Sequence, residues 1–201
     1  MIYRKLTLTV AAAALMIGAL SFNLPEAIAA DGNAGFEAFE RGDYATALKE
    51  FQPLADQGMP AAQAALGQMY LQGLGVAQDY AMAAKWLTPA ATNGIAAAQA
   101  QLATLYMLGM GVQKDEAQAA YWTKRAADHG VRRSQVDLAA MYYQGVGLPR
   151  DLAQSYFYAE LAARQGDDEA IAIRSVLQPQ LPAAQIKHIQ GQADTWKPSQ
   201  Q

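Results

Sequence analysis

The chain contains no cysteine. That absence removes disulfide staples, thiolate nucleophiles, cysteine-ligated zinc and a lipid-modified cysteine anchor together. Histidine is nearly as scarce. His129 and His188 are the only two, and they lie far apart, so no metal-ligand spacing can be recognised. Basic residues are not in excess, with 15 Lys and Arg against 18 Asp and Glu, which argues against a nucleic-acid surface. None of Ser21, Ser134, Ser155, Ser175 or Ser199 is followed by lysine at the third position, as the Ser-x-x-Lys of a serine β-lactamase requires. These gaps leave no catalytic, metal or cofactor site to assign. The expectation is a protein that is not an enzyme and needs no cofactor.

Residues 1–30 read as an export signal. Arg4 and Lys5 form a positive start, residues 6–22 are uncharged and mainly apolar, and Ala27-Ile28-Ala29 is a small-x-small cleavage site. The alternative is an uncleaved membrane anchor. The run falls short of the ~20 residues a spanning helix needs, and Pro25 with the cleavage site favours removal. The mature chain is then expected to start at Ala30 or Asp31 and to reside in the periplasm, or be secreted, with no stable membrane anchor. Removing Arg4, Lys5 and Glu26 leaves 13 basic and 17 acidic residues.

What the chain has in abundance is repetition. The stretch QAALGQMYLQGLGV begins at Gln63, QAQLATLYMLGMGV at Gln99 and QVDLAAMYYQGVGL at Gln135, a step of 36 residues each time. Leu66, Leu102 and Leu138 correspond, as do Tyr70, Tyr106 and Tyr142. The pairs Gly73/Gly75, Gly109/Gly111 and Gly145/Gly147 follow, then Asp79, Asp115 and Asp151, then Trp86, Trp122 and Tyr158. Each copy closes on Ala90-Ala91 and Gly94, Ala126-Ala127 and Gly130, or Ala162-Ala163 and Gly166. A fixed period of this length signals units that cannot bury their apolar faces alone and stack on their neighbours.

Within a copy the spacing is helical. Ala62, Leu66, Met69 and Tyr70 share one helix face. Gly73 ends that helix, because glycine accepts a left-handed backbone without steric cost. Asp79 can cap the next helix by accepting backbone N–H bonds. That helix carries Ala83, Trp86, Leu87, Ala90 and Ala91 on its buried side and ends at Gly94. Pro53 and Pro89 fall at one repeat position inside second helices, where each removes an i→i−4 bond.

The set Leu66, Tyr70, Gly73-Leu74-Gly75-Val76, Asp79, Lys85-Trp86 and Pro89-Ala90-Ala91 through Gly94, with its copies, resembles the Sel-one-like repeat (SLR) family, a relative of tetratricopeptide repeats. The resemblance covers residues 59–166. It implies an all-α fold, an α-solenoid that is a right-handed superhelix of helix-turn-helix repeats of 36 residues. It also implies a role as a protein-interaction scaffold with its first helices on the concave side. Cysteine-rich members of the family staple each helix pair with a disulfide. This chain departs from them and must rely on packing.

The organisation expected is therefore a signal peptide over 1–30 and a degenerate N-terminal repeat or cap over 31–58. Full repeats follow over 59–94, 95–130 and 131–166, then C-terminal capping helices over 167–196 and a frayed tail over 197–201. Arg174 replaces the core leucine of the frame, and Pro179 and Pro182 break it.

Several motifs invite a functional reading. The Gly-x-Gly segments lack the preceding strand of a phosphate loop and read as turns. Trp86, Trp122, Tyr121 and Tyr158 could form a glycan platform, but their period favours core packing. Gln63, Gln99 and Gln135 are expected to hydrogen-bond between repeats. Lys124, Arg125, His129, Arg132 and Arg133 form a basic cluster that reads as a solvated turn, with a dock for an anionic partner as the alternative. Positions that vary between copies of the first helix mark the candidate concave binding face: Gln68, Thr104 and Ala140, with Leu71, Met107 and Tyr143. The expected partner is a protein or peptide of the cell envelope, with a cell-wall glycan or stem peptide as the alternative, and the expected state is a monomer.

Overall fold

The computed structural model describes residues 33–199. The expected signal segment lies outside the described residues. Within them the chain forms ten α-helices, one short 3-10 helix and no strand. The helices fall into two compact units, divided between Lys114 and Asp115.

The first unit holds α1 (Asn33–Glu40), α2 (Tyr44–Asp56), α3 (Pro60–Gln72), α4 (Tyr80–Thr92) and α5 (Ala96–Leu108). Each helix packs on the next, and α3 also meets α5 one period on. The core is rich in alanine, with Ala47, Ala62, Ala83, Ala90 and Ala91 wholly inaccessible around Phe51, Leu66, Met69 and Leu87. The short α1 contributes Phe36, whose ring lies 4.6 Å from that of Phe51.

The second unit holds α6 (Glu116–Asp128), α7 (Arg132–Gln144), α8 (Leu152–Arg164), α9 (Asp168–Leu177), the 3-10 turn Gln178–Gln180 and α10 (Ala183–Thr195). Here α8 is the centre, packed on α7, α9 and α10. Val136, Leu138, Tyr156, Ala159 and Leu177 fill the core beneath it.

The two helix types start differently. Second helices open on an aspartate whose carboxylate accepts from the first turn: Asp79 from Ala81 and Met82 at 2.9 and 3.0 Å, and Asp151 from Ala153 and Gln154 at the same distances. First helices open on apolar Met59, Ile95 and Val131, with no side-chain cap. They end on the left-handed Gly73, Gly109 and Gly145. The second glycine of each loop has a further reason to be glycine. A Cβ on Gly75 would stand 2.9 Å from the carbonyl oxygen of Tyr44, and Gly111 and Gly147 press still closer on the backbone of Tyr80 and Glu116. Each loop thus lies against the start of the preceding second helix.

Two expectations need correction. Residues 197–199 are not frayed: the Ser199 N–H donates to the Asp128 carbonyl at 2.8 Å. Tyr121 is not core but 49% exposed. Consecutive helical residues point about 100° apart, so it cannot share the buried face of Trp122.

Candidate functional site

The six positions proposed for the binding face divide on structure. Leu71 is 2% exposed and Ala140 is 5% exposed, so neither offers a surface to a ligand within its own unit. Leu71 stands one turn after Gly67, where a Cβ would lie 2.6 Å from Leu87, so its side of α3 is the side α4 covers. Ala140 stands one turn after fully buried Val136, and its methyl is too short to leave that contact. Gln68, Thr104, Met107 and Tyr143 are half-buried. The Thr104 hydroxyl donates to its own helix at Ala100, 3.2 Å away. Tyr143 carries the Arg150 guanidinium 5.7 Å from its ring centre, and Arg150 Nε also donates to the Tyr143 carbonyl at 3.0 Å. Gln68, Thr104 and Met107 belong to the first unit and Tyr143 to the second.

The repeated glutamines do tie one repeat to the next. Gln63, Gln99 and Gln135 each donate an amide N–H to the carbonyl of Ala55, Ala91 and Ala127, at 3.2, 3.0 and 3.2 Å. Those carbonyls lie in the last turn of the preceding second helix, where intrahelical partners run out. The third glutamine is satisfied twice, since Gln165 donates to its oxygen at 2.7 Å. The amide oxygens of Gln63 and Gln99 are buried with no hydrogen-bond partner in the described protein.

The aromatic positions split in the same way. Trp86, Trp122 and Tyr158 are buried. Tyr158 donates its hydroxyl to Asp128 Oδ1 at 2.8 Å, and burial, then the Asp128 carboxylate, push its ionisation well above the ordinary tyrosine range. The indole N–H groups of Trp86 and Trp122 are buried without a partner among the described residues.

Most of the basic cluster is committed within its own unit. Lys124 pairs with Asp128 at 2.6 Å, Arg132 with Asp167 at 3.7 Å, and Arg133 with both Asp137 and Glu169, at 2.7 and 2.8 Å. Arg125 instead lies 5.9 Å over the exposed ring of Tyr121. Burial pushes the Asp137 carboxyl up to about 6 although Arg133 pulls the other way, and the nearby Glu169 and Asp167 add to the rise.

One polar network had no counterpart in the sequence reading. Glu160, only 4% exposed, accepts from Arg164 Nε at 2.9 Å and from Arg174 Nη1 at 3.1 Å. Arg164 reaches on to Asp194 of α10 at 2.8 Å. Arg174, where the frame would place leucine, is thus the partner of a buried carboxylate. Among the described residues no three His, Asp or Glu side chains come together as metal ligands. No helix among them is long and apolar enough to cross a membrane.

Aspartate-capped second helices, glycine-closed loops and glutamine ties repeated every 36 residues define an all-α helix-pair repeat protein of the solenoid class. The Sel1 repeat model matches residues 60–95, 96–131 and 132–167, just over half the chain. The chain belongs to the Sel1 repeat family, a family of repeat scaffolds that generally mediate protein–protein interaction. A Sel1 repeat protein from Oxalobacter formigenes is similar in structure, with 28% identity and a TM-score of 0.68, over 72% of this chain and 60% of that one. A protective antigen present in uropathogenic Escherichia coli strains, which displays an SLR fold, is similar at 30% identity and a TM-score of 0.72. That match covers 82% of this chain and 37% of the antigen. The chain therefore spans less than two thirds of either solved relative. No curated protein shows significant similarity to it.

Proposed function

We propose that the chain is a monomeric scaffold of the bacterial envelope, periplasmic or secreted, that holds a protein or peptide against its first helices. The observation that carries this reading is the contrast between repeat positions. Core positions keep their residue type, as Leu66, Leu102 and Leu138 do, because each copy packs on a like neighbour. Two positions of the first helix do not keep theirs; they are buried at Leu71 and Ala140 but half-buried at Gln68, Thr104, Met107 and Tyr143, and it is those four that can reach a ligand. Met107 and Tyr143 are large and apolar yet unlike, which suits a side-chain-bearing peptide more than a repeating sugar. The arginine-supported ring of Tyr143 is the firmest of these contacts, since aromatic and arginine groups dominate binding energy at interfaces.

The test is capture from envelope extract by the mature chain, repeated with Met107→Ser and Tyr143→Ser. Loss of the captured protein with the melting temperature retained supports the assignment. Capture undiminished in both variants refutes it, and binding of isolated peptidoglycan fragments in its place would favour a cell-wall module. The intact mass of the exported protein should correspond to a start at Ala30 or Asp31. A full-length chain in the inner membrane would overturn the proposed location.

A further inference from the structure

We propose that Arg150, laid over Tyr143, is a seat for an acidic side chain of a partner protein segment. The proposal rests on the first-helix reading and adds to it the chemistry of the occupant at Tyr143.

The place Arg150 fills has a structural task, and arginine exceeds it. Gln78, Lys114 and Arg150 share one position in the repeat, seven residues after Leu71, Met107 and Tyr143. The loop brings this position back over the helix it has just left. A Cβ on Gly73 would come within 3.5 Å of the Gln78 Cβ, and one on Gly145 within 3.4 Å of the Arg150 Cβ. From there Gln78 Nε2 donates to the Leu71 carbonyl at 2.8 Å, and Arg150 Nε donates to the Tyr143 carbonyl at 3.0 Å. Both carbonyls lie in the last turn of a first helix, where internal donors run out. At Leu71 one N–H of a neutral amide completes the bond. A guanidinium carries five N–H donors in a planar fork, and among the described residues only the one on Nε is used.

The two positions also change together. Leu71 is buried and has the neutral glutamine behind it; Tyr143 is half-buried and has the arginine. The guanidinium carbon lies 5.7 Å from the centre of the Tyr143 ring. Bonded through Nε and stacked on the ring, the fork is already oriented, so little side-chain freedom is lost when a carboxylate meets it. Arg125 also lies over a tyrosine ring, but its Nε is buried without a partner, so its fork is not held in the same way.

Charge names the occupant. In the second unit Arg132, Arg133, Arg164 and Arg174 each meet a carboxylate. The exposed Arg150 meets none among the described residues. Its neighbour Asp151 is engaged as the cap of α8, accepting from Ala153 and Gln154. A carboxylate fits the guanidinium edge with two parallel bonds. The half-buried ring offers an apolar surface to the methylene stem of an aspartate or glutamate.

The test starts from a displayed library of random linear peptides selected on the mature chain. Each Asp or Glu of a selected peptide is replaced in turn by Asn or Gln. Binding is followed by fluorescence anisotropy against wild type, Arg150→Gln and Tyr143→Ser. Glutamine at 150 can still donate to the Tyr143 carbonyl, as Gln78 does to Leu71, so Arg150→Gln should keep the wild-type melting temperature. One acidic residue should stand out. Its amide form should bind wild type about fivefold more weakly than the acid does, and Arg150→Gln should bind both forms alike. The gap should close at high salt. Arg150→Lys should narrow it without closing it, because an ammonium lacks the fork; this variant replaces Arg150→Gln should the latter melt early. Peptides that need Tyr143 but show no acid dependence, or keep that dependence in Arg150→Gln, would overturn the proposal and leave the first-helix reading standing. Peptides that bind all the chains alike would overturn both, as would a library without a binder. Binding lost when the peptide's C-terminal carboxylate is amidated would give the seat to a chain end. Peptidoglycan fragments held by wild type and not by Arg150→Gln would give it to the cell wall. Either result overturns the acidic side chain.

Discussion

Replacing Glu160 with glutamine removes one negative charge from the interior of the second unit and leaves every other side chain in place. The carboxylate is 6% exposed and bonded by Arg164 and Arg174, whose side chains are 35% and 32% exposed. Arg164 keeps Asp194 as a partner, whereas Arg174 loses the one carboxylate it is paired with among the described residues. Removing one member of a fully buried pair costs about 3–5 kcal/mol. Water reaches a third of each arginine here and screens what remains, and the glutamine oxygen can still accept one bond. The expected loss is therefore about 2 kcal/mol, or a fall in melting temperature of about 4–8 °C for a domain of this size. The second half of the test is the double change Glu160→Leu with Arg174→Leu. It restores at 174 the leucine of Leu66, Leu102 and Leu138, and a well-packed apolar pair can replace a buried ion pair at little cost. Urea denaturation with the slope monitored should show the single variant clearly destabilised and the double variant recovered to within about 1 kcal/mol of wild type. A Glu160→Gln chain within about 0.5 kcal/mol of wild type would mean that the network adds nothing, and the reasoning would fail.

Gly147→Ala should destabilise far more than Gly145→Ala. Both have positive φ, at 69° and 76°, which costs an alanine about 1 kcal/mol, but only at Gly147 does the new methyl collide with the Glu116 carbonyl; equal denaturation midpoints would contradict the close approach. Gln135→Leu should cost more than Gln63→Leu, by about 1 kcal/mol, because besides a helix-end carbonyl it removes the shorter of the two bonds of the Gln165 amide, at 2.7 Å, and leaves only the one to the Leu161 carbonyl at 3.3 Å; thermal melts of the two variants decide this. Asp137 gives a pH dependence. Its folded value of about 6 lies above the ordinary 3.8, so its contribution to stability is complete below about pH 4 and is lost as the pH rises through 6. The side chain is still 35% exposed, so the slope is shallow. Asp137→Asn should flatten it, and urea midpoints that respond to pH identically in both chains would exclude this carboxyl as the source.

The repeat, its caps and its core were legible because each is signalled locally and three times over. Asp79 followed by an apolar-periodic stretch and closed by Gly94 carries its own start, face and stop. Burial that depends on a second neighbour was not legible. A single helix wheel puts Leu71 and Met107 in one class, yet Leu71 is covered by α4 and Met107 on α5 is half-buried. Arg174 read as decay of the frame because its partner Glu160 lies 14 residues away on another helix. Docking of the tail was the least accessible of all. Ser199 meets His129 across 70 residues, and nothing in a short polar terminus announces a partner at that range. Tyr121 is the opposite case: its place beside Trp122 was enough to put the two rings on different faces.

Equivalent repeat positions in the two units carry different kinds of side chain, and the difference bears on which helix packs on which. Residues 61, 97, 133 and 169 share one place in the frame, and the first two are alanines. Identical small residues pack equally well on any neighbouring copy, so they bring stacking without saying which copy is next. At the last two places the residues are Arg133 and Glu169, joined one period apart at 2.8 Å. That pair is directional, because arginine faces glutamate only when α9 follows α7. A like pairing would set charge against charge, and a slipped pairing would leave the arginine facing an alanine. The exposed ends of such a pair add little free energy, but they penalise the wrong neighbour, and specificity is a difference between alternatives. Glu160 with Arg174 works to the same end on the next helix contact. Both pairs are thus directional contacts that favour α9 in its observed place against α7 and α8.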